Sequence, residues 1–327
     1  MIYSMLDEVD RGLIHALHID GRAPFNRIGE VLGVSTQTVA RRYRRLREEF
    51  GLRVVGRPDP GHTGTTQWLV RLTTTPSASG QLARALAQRT DTSWVMLTSG
   101  GTEVFLIVDG PGFDAPALLL HDLPRTSAIT GISAHYVLHT YLGGPTAWPG
   151  RLAVLDSEQQ RKLRPHEEDA TGRAGSDTDD LLFAALRTDG RAGLAQLAEA
   201  TGLSQSTVAR HISGLRADGA LYFDVDVDDR VFGVTTRAML WASVAPGKLD
   251  GVAEALARHE ELAFVAATTG STNLIAEALC PDPASLHTYL TKKLGAFDAI
   301  GTLETTPVLA TVKSTSQPPL LRPRPAR

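Results

Sequence analysis

The chain has 327 residues, 42% hydrophobic and 21% charged, with a net charge of −3 at neutral pH. At roughly 100–200 residues per domain this length holds two to three domains, and the composition excludes wholesale disorder and fibrous repeats. The single cysteine, Cys280, excludes an internal disulfide framework and a cysteine-based zinc site. No apolar run reaches the roughly 18 residues that a membrane span needs. The start MIYSMLDEVDRG carries acids where a secretory leader needs bases and an apolar stretch, which predicts a cytoplasmic protein. With a negative total charge, any attraction to nucleic acid has to come from a local basic patch.

Helical spacing of Leu6, Val9, Leu13, Ile14 and Leu17 predicts a first helix that stops at Asp20-Gly21. Phe25, Ile28, Val31 and Leu32 predict a second, ended by Gly33. Ser35 then caps a third, on which Val39, Tyr43 and Leu46 form an apolar stripe. Helix, glycine turn and helix in this order form a helix-turn-helix. With the stripe buried, the opposite face of the third helix carries Gln37, Arg41, Arg44, Arg45 and Glu48, flanked by Thr36, Thr38 and Arg42. Hydroxyls and amides near such a helix start reach base edges in a major groove, and arginines bind guanine or phosphate. Ser35, Thr36, Gln37, Thr38, Arg41, Arg42, Arg44 and Arg45 are therefore the expected contacts to double-stranded DNA.

After Gly64 the period changes. Strands are expected at Gln67–Leu72, Ser93–Thr98, Glu103–Val108 and Ile129–Tyr141, and helices at Gln81–Gln88 and Phe113–Leu120. This β-α-β-β-α-β order predicts an open ferredoxin-like sheet with helices on one face and the other face bare.

The whole pattern is then written again. DGRAPFNRIGEVLGVSTQTVARRYRRL from Asp20 recurs as DGRAGLAQLAEATGLSQSTVARHISGL from Asp189, an offset of 169, and TSGGTEVFLIV from Thr98 answers TTGSTNLIAEAL from Thr268. The second third-helix offers Ser204, Gln205, Ser206, Thr207, Arg210 and His211 as DNA contacts. Strands follow near Arg237–Val244, Ala263–Thr268, Asn273–Leu279 and Ile300–Val312, with helices near Leu249–Arg258 and Pro283–Leu294. The expected organisation is a helix-turn-helix domain at 1–60, an αβ domain at 61–146, a linker at 147–176, a second helix-turn-helix at 177–233, a second αβ domain at 234–314 and a flexible tail at 315–327. The bare sheet faces are expected to pack on each other within the chain, making a pseudo-dimer. Residues 1–58 hold ten arginines against seven acids, whereas 175–235 hold five against ten, so copy one is expected to dominate non-specific, salt-sensitive binding and copy two to be the weaker reader.

The motifs Leu6-Asp7-x-x-Asp10, Leu17-x-x-Asp20-Gly21-Arg22, Ile28-x-x-x-Leu32-Gly33-x-Ser35 and Val39-x-x-Arg42-x-x-x-Leu46, with their second-copy counterparts from Asp179 to Leu215, resemble the Lrp/AsnC transcriptional regulators in a duplicated form. The resemblance implies an α+β fold of two tandem copies of a (winged) helix-turn-helix module, each followed by a ferredoxin-like βαββαβ sensor domain. It implies a regulator that binds a pseudo-palindromic operator under the control of a small effector, such as an amino acid, and that assembles as an intrachain pseudo-dimer or a larger homo-oligomer. In such proteins the turn between the middle strands lines the effector site. Here it is Gly100-Gly101-Thr102-Glu103 and Gly270-Ser271-Thr272-Asn273, where glycines open backbone amides to a carboxylate and an acid can hold an ammonium group. Glu103 is longer than the acid of the family pattern, and Asn273 is uncharged.

No P-loop, dinucleotide fingerprint, HExxH or GxSxG motif is present, so no enzyme and no cofactor or metal is expected. The chain is also similar to sirohaem decarboxylases, tetrapyrrole enzymes of the same architecture. His135 and His139, alternating on the last strand of copy one, are the residues that this alternative would use, although two ligands from one strand fall short of a metal site.

Overall fold

The computed structural model describes residues 6–110, 116–143, 154–164 and 177–314. The tail at 315–327, most of the 147–176 segment and the start of the helix expected at Phe113 lie outside them. In chain order the elements are α1 (Glu8–Ile19), α2 (Phe25–Leu32), α3 (Thr36–Phe50), β1 (Arg53–Pro58), α4 (Pro60–Thr63), β2 (Thr66–Thr74), α5 (Ser79–Ala87), β3 (Thr92–Thr98), β4 (Glu103–Gly110) and β5 (Ile129–Leu142). Then come α6 (Ser157–Leu163), α7 (Asp177–Thr188), α8 (Leu194–Thr201), α9 (Gln205–Ala217), β6 (Leu221–Asp226), β7 (Thr236–Val244), α10 (Leu249–Leu256), β8 (Leu262–Thr268), β9 (Leu274–Cys280), α11 (Pro283–Thr288) and β10 (Ile300–Thr311). Among the described residues no helix is long and apolar enough to cross a membrane. Two compact units cut across the repeat: Met1–Gly64 with Gly144–Gly233, and Thr65–Gly143 with Val234–Arg327.

The first unit gathers both helix-turn-helix modules. Leu13, Leu17, Ile28, Val39 and Leu46 are fully buried in the core of the first, and Leu186, Leu197, Val208 and Leu215 play the same part in the second. Strands β1 and β6 pair antiparallel across the copies, with Val54 opposite Val225 and Gly56 opposite Phe223. Val225 and Val231 of copy two are buried in the first module's core, and β1 of copy one lies against α7 of the second module. The same ribbon sets Asp226 of the acidic stretch directly opposite Arg53, and desolvation raises the half-buried Asp224 carboxyl above its ordinary 3.8, opposed by Arg57. Counting charge copy by copy therefore misstates the surface, because arginines of copy one face acids of copy two.

Helix α6, inside the segment expected as linker, packs on α1 and α2 of the first module. Leu155 and Leu163 are buried in its core, Leu155 donates its N–H to His15 Nδ1 at 3.2 Å, and Gln159 Nε2 donates to the Val31 carbonyl at 3.0 Å. Asp156 caps α6. The helix is too short and polar to announce itself by periodicity; two leucines at its ends do the anchoring.

The second unit gathers the two βαββαβ modules. Their sheets run β3-β4-β2-β5 and β8-β9-β7-β10, all antiparallel, the ferredoxin-like order in both. They are not open sheets, however. β5 pairs with β2 along its first half and with β8 from Val137 on, while β10 pairs with β7 and then with β3 from Val308 on, closing an eight-stranded barrel. The physical reason is strand length: at 14 and 12 residues, β5 and β10 outrun their own sheets, and their free edges are satisfied by the other copy. Leu69, Met96, Phe105, Ile107, Met239, Trp241 and Ile275 form the core shared by the two copies, while Val70, Leu72 and Leu106 face α5.

Candidate nucleic-acid interface and effector turns

In the first module Asp7 caps α1, accepting from the Asp10 N–H at 2.9 Å, and Asp10 accepts in return from the Asp7 N–H at 3.2 Å. Asp10 is fully buried and receives Arg42 at 3.3 Å and Arg45 from α3; Arg42 also reaches Asp7 at 2.5 Å. Burial raises the Asp10 carboxyl above its ordinary 3.8, opposed by the Asp7 amide and the two guanidiniums. Thus Arg42 and Arg45 tie α3 to α1. Ser35 caps α3, accepting from the Thr38 N–H at 3.1 Å with its hydroxyl 2.9 Å from that of Thr38. Thr36, Gln37, Arg41 and Arg44 are exposed, and among the described residues neither Arg41 nor Arg44 has an ion-pair partner.

The second module repeats the frame with other chemistry. Ser204 accepts from the Thr207 N–H at 3.2 Å and lies 2.8 and 3.0 Å from the hydroxyls of Thr207 and Ser206. Gln205, Ser206 and Arg210 are exposed. His211, at the position of Arg42, contacts Asp179, the buried counterpart of Asp10. Gly214 stands where copy one has Arg45.

The turns expected to line an effector site are built differently in the two copies. In the first, Gly100 and Gly101 lie at φ +72° and +85°, a region that only glycine enters cheaply. Thr102 Oγ1 donates to the Ser99 carbonyl at 2.9 Å. Glu103 is buried, and its carboxylate accepts from Arg71 Nε at 2.6 Å, Ser99 Oγ at 2.9 Å and Thr98 Oγ1 at 3.0 Å. Arg71 also holds Glu304 at 2.6 Å and lies 4.5 Å from the centre of the Trp241 ring. The acid that sequence patterns offer to an ammonium group already has an internal cation.

In the second turn Ser271 is exposed, the Thr272 carbonyl accepts from Thr268 Oγ1 at 3.3 Å, and the Asn273 amide makes two 2.9 Å bonds to the Val244 backbone. A side chain on Gly270 would collide with His135 Nδ1 at 2.7 Å. His135 is buried and donates from Nδ1 to the Thr269 carbonyl at 2.8 Å; its Nε2 lies 2.9 Å from Ser133 Oγ, and its ring packs 5.4 Å from Trp241. Its partner in the sequence pattern, His139, is exposed against Tyr141. Among the described residues no three metal-binding side chains come together.

The family model of the AsnC-type helix-turn-helix domain matches residues 6–47 and again 176–216, and that of the Lrp/AsnC ligand binding domain matches 237–318. This chain is a duplicated member of the Lrp/AsnC family of transcriptional regulators. A curated Lrp/AsnC-type relative, the HTH-type transcriptional regulator FL11 of Pyrococcus horikoshii, is 29% identical over 143 residues, 43% of this chain and 94% of its own length. HTH-type transcriptional regulator LrpA1 of Halobacterium salinarum is 26% identical over 124 residues, 38% of this chain and 87% of its own. Among solved structures, the siroheme decarboxylase NirDL superposes with a TM-score of 0.62 at 11% identity, covering 95% of this chain and 94% of its own. At that identity the likeness is one of fold.

Three structural details of this Lrp/AsnC chain escape a linear reading. The partner of Arg42 and Arg45 is 32 and 35 residues away, the cation on Glu103 is 32 away, and Arg22 and Arg191 of the Asp-Gly-Arg motif reach into the opposite copy. The exact recurrence of that motif was the one available signal.

Proposed function

We propose that this regulator binds double-stranded DNA by inserting α3 and α9 into successive major grooves and reading an imperfect palindrome. The observation that carries the reading is the pair of serine-capped third helices, each with exposed polar side chains on its first turns and an arginine beyond them. Gln37, Arg41 and Arg44 on α3, and Gln205, Ser206 and Arg210 on α9, are the proposed contacts. Ser35, Thr38, Ser204 and Thr207 hold the helix starts, and Arg42, Arg45 and His211 brace the modules, with Thr36 at the margin. A small effector, an amino acid being the first class to screen, is proposed to act at Gly100–Glu103 and Gly270–Asn273; its ammonium group would compete with Arg71 for Glu103. On this reading the chain is not an enzyme.

Fluorescence anisotropy on a labelled duplex from upstream of its own gene, titrated with salt and scrambled competitor, tests the proposal. Specific binding that weakens steeply with salt is expected. The whole-chain likeness to a siroheme decarboxylase favours one second reading, a tetrapyrrole enzyme. A visible absorption band in the purified protein with no sequence preference on DNA would move the case there.

A further inference from the structure

The two helix-turn-helix modules are joined by a reciprocal pair of arginines. Arg22 of copy one donates from Nη1 to the Gly190 carbonyl at 2.6 Å and from Nη2 to the Ala192 carbonyl at 2.9 Å. Arg191 of copy two returns the same bonds to Gly21 at 2.6 Å and Ala23 at 2.9 Å. Each guanidinium thus forks onto the turn between the first and second helices of the other module. The backbones are pressed together as well: Gly190 donates its N–H to the Val54 carbonyl at 2.7 Å, and a side chain there would meet main-chain atoms at 2.9 Å. Burial, with Arg191 and Arg216 close by, lowers the Arg22 pKa, and burial lowers that of Arg191. Removing either side chain leaves two carbonyls of the opposite turn without their donors.

The clamp also touches the reading helices. Arg191 lies 4.6 Å from the Phe25 ring at the start of α2 and 5.5 Å from Tyr43 on α3. Arg216 on α9 donates to Asp20, which ends α1, at 2.9 Å. In the mirrored positions copy two has Leu194 and Ile212, and Arg22 lies instead over the Phe223 ring of β6, at 5.9 Å a looser seat than the 4.6 Å of Arg191 on Phe25.

We propose that Arg22, Arg191 and Arg216 are positioning residues that set the separation of α3 and α9, and through it the half-site spacing that this protein accepts on DNA. The proposal rests on the DNA-reading function above. Guanidinium is the group suited to the task, since its fixed fork binds two carbonyls at once where lysine offers a point charge.

Two measurements on the full chain test it. Spin labels on Gln37→Cys and Ser206→Cys, with the buried Cys280 replaced by alanine, report the α3–α9 distance without DNA. Selection from random duplexes reports half-site sequence and spacing. The wild type is expected to give one narrow distance and one spacing near a helical turn. Arg191→Met is expected to broaden both while the selected half-site letters stay the same, with affinity at the best spacing reduced by about tenfold. Arg22→Met should do so less. Arg22→Lys and Arg191→Lys, which keep charge and bulk, cover the case in which a methionine variant fails to fold, and should broaden spacing with melting temperature nearly unchanged. A distance that stays narrow in the variants overturns the clamp. A broadened distance with unaltered spacing overturns its role in DNA selection. A wild type that selects no sequence removes the DNA reading and the spacing role together, while the distance measurement still reports the clamp.

Discussion

Both helix-turn-helix modules bury an aspartate on their first helix and reach it from the third, Asp10 in one and Asp179 in the other. In the first module two arginines, permanently charged, converge on that carboxylate; in the second His211 reaches it from α9, and the position of Arg45 is taken by Gly214. The first module is further braced by α6, which has no counterpart among the described residues of the second. Of the five arginines on α3, Arg42 and Arg45 are turned to Asp10, so the exposed set is Arg41, Arg44 and Arg47 against Arg210 on α9.

The largest effect expected from this contrast is on stability. Asp10→Ala strips Arg42 and Arg45 of their buried partner and removes half of a capping box, and should cost about 3 kcal/mol in urea unfolding, the range for a broken buried ion pair. Asp179→Ala should cost about 1 kcal/mol, because Gly214 stands at the position of Arg45 and no second cation on α9 is left stranded. Equal losses would erase the distinction drawn here.

Leu155→Ala should come next, at about 2 kcal/mol for a truncated core leucine. Hydrogen exchange is expected to rise in α1 and α2 and to leave α7 and α8 unchanged; a uniform rise would mean that α6 does not brace the first module alone.

On DNA, Arg41→Ala should weaken binding by about tenfold and flatten the salt dependence, and Arg210→Ala should do less, in line with the exposed arginine count on each helix. Arg42→Ala is expected to lower the melting temperature with little change in salt slope. The same slope change in Arg41 and Arg42 variants would return Arg42 to the DNA-facing set.

The smallest effect is on pH. Burial holds His15 below its ordinary 6.5, with His18 adding to it, and burial also lowers His18. Both therefore bind fewer protons folded than unfolded, so their contribution to stability is present above 6.5 and declines as pH falls below it. Unfolding followed between pH 7.5 and 5.5 should show this decline, and His15→Gln should reduce it. Copy two carries Ala184 and Arg187 at these places and contributes nothing similar.

Much of this architecture is legible in the residues. Ser35 and Ser204 as caps, Gly33 and Gly202 as left-handed helix ends, and the stripes Val39-Tyr43-Leu46 and Val208-Ile212-Leu215 stand in the structure where the pattern puts them. The eight strands of the αβ modules also fall within one or two residues of their expected places. β1 and β6, which link the helix-turn-helix modules, were not expected, because neither carries alternation long enough to read. The barrel was hidden because β5 and β10 look the same in sequence whether their second halves are bare or paired. The bonds of Glu103 and Asn273 were hidden for a similar reason, since a turn sequence does not say what its last side chain will meet.

The division follows the distance over which each interaction acts. Caps, helix stops and apolar stripes have their partners within about one to two helical turns, so the order of residues along the chain already determined them. The duty of each charge depends on a partner far away in sequence: Asp10 for Arg45, Arg71 for Glu103, and the opposite copy's carbonyls for Arg22 and Arg191. A guanidinium binds whatever acceptor the folded chain brings to it, and only the tertiary structure decided which acceptors those were.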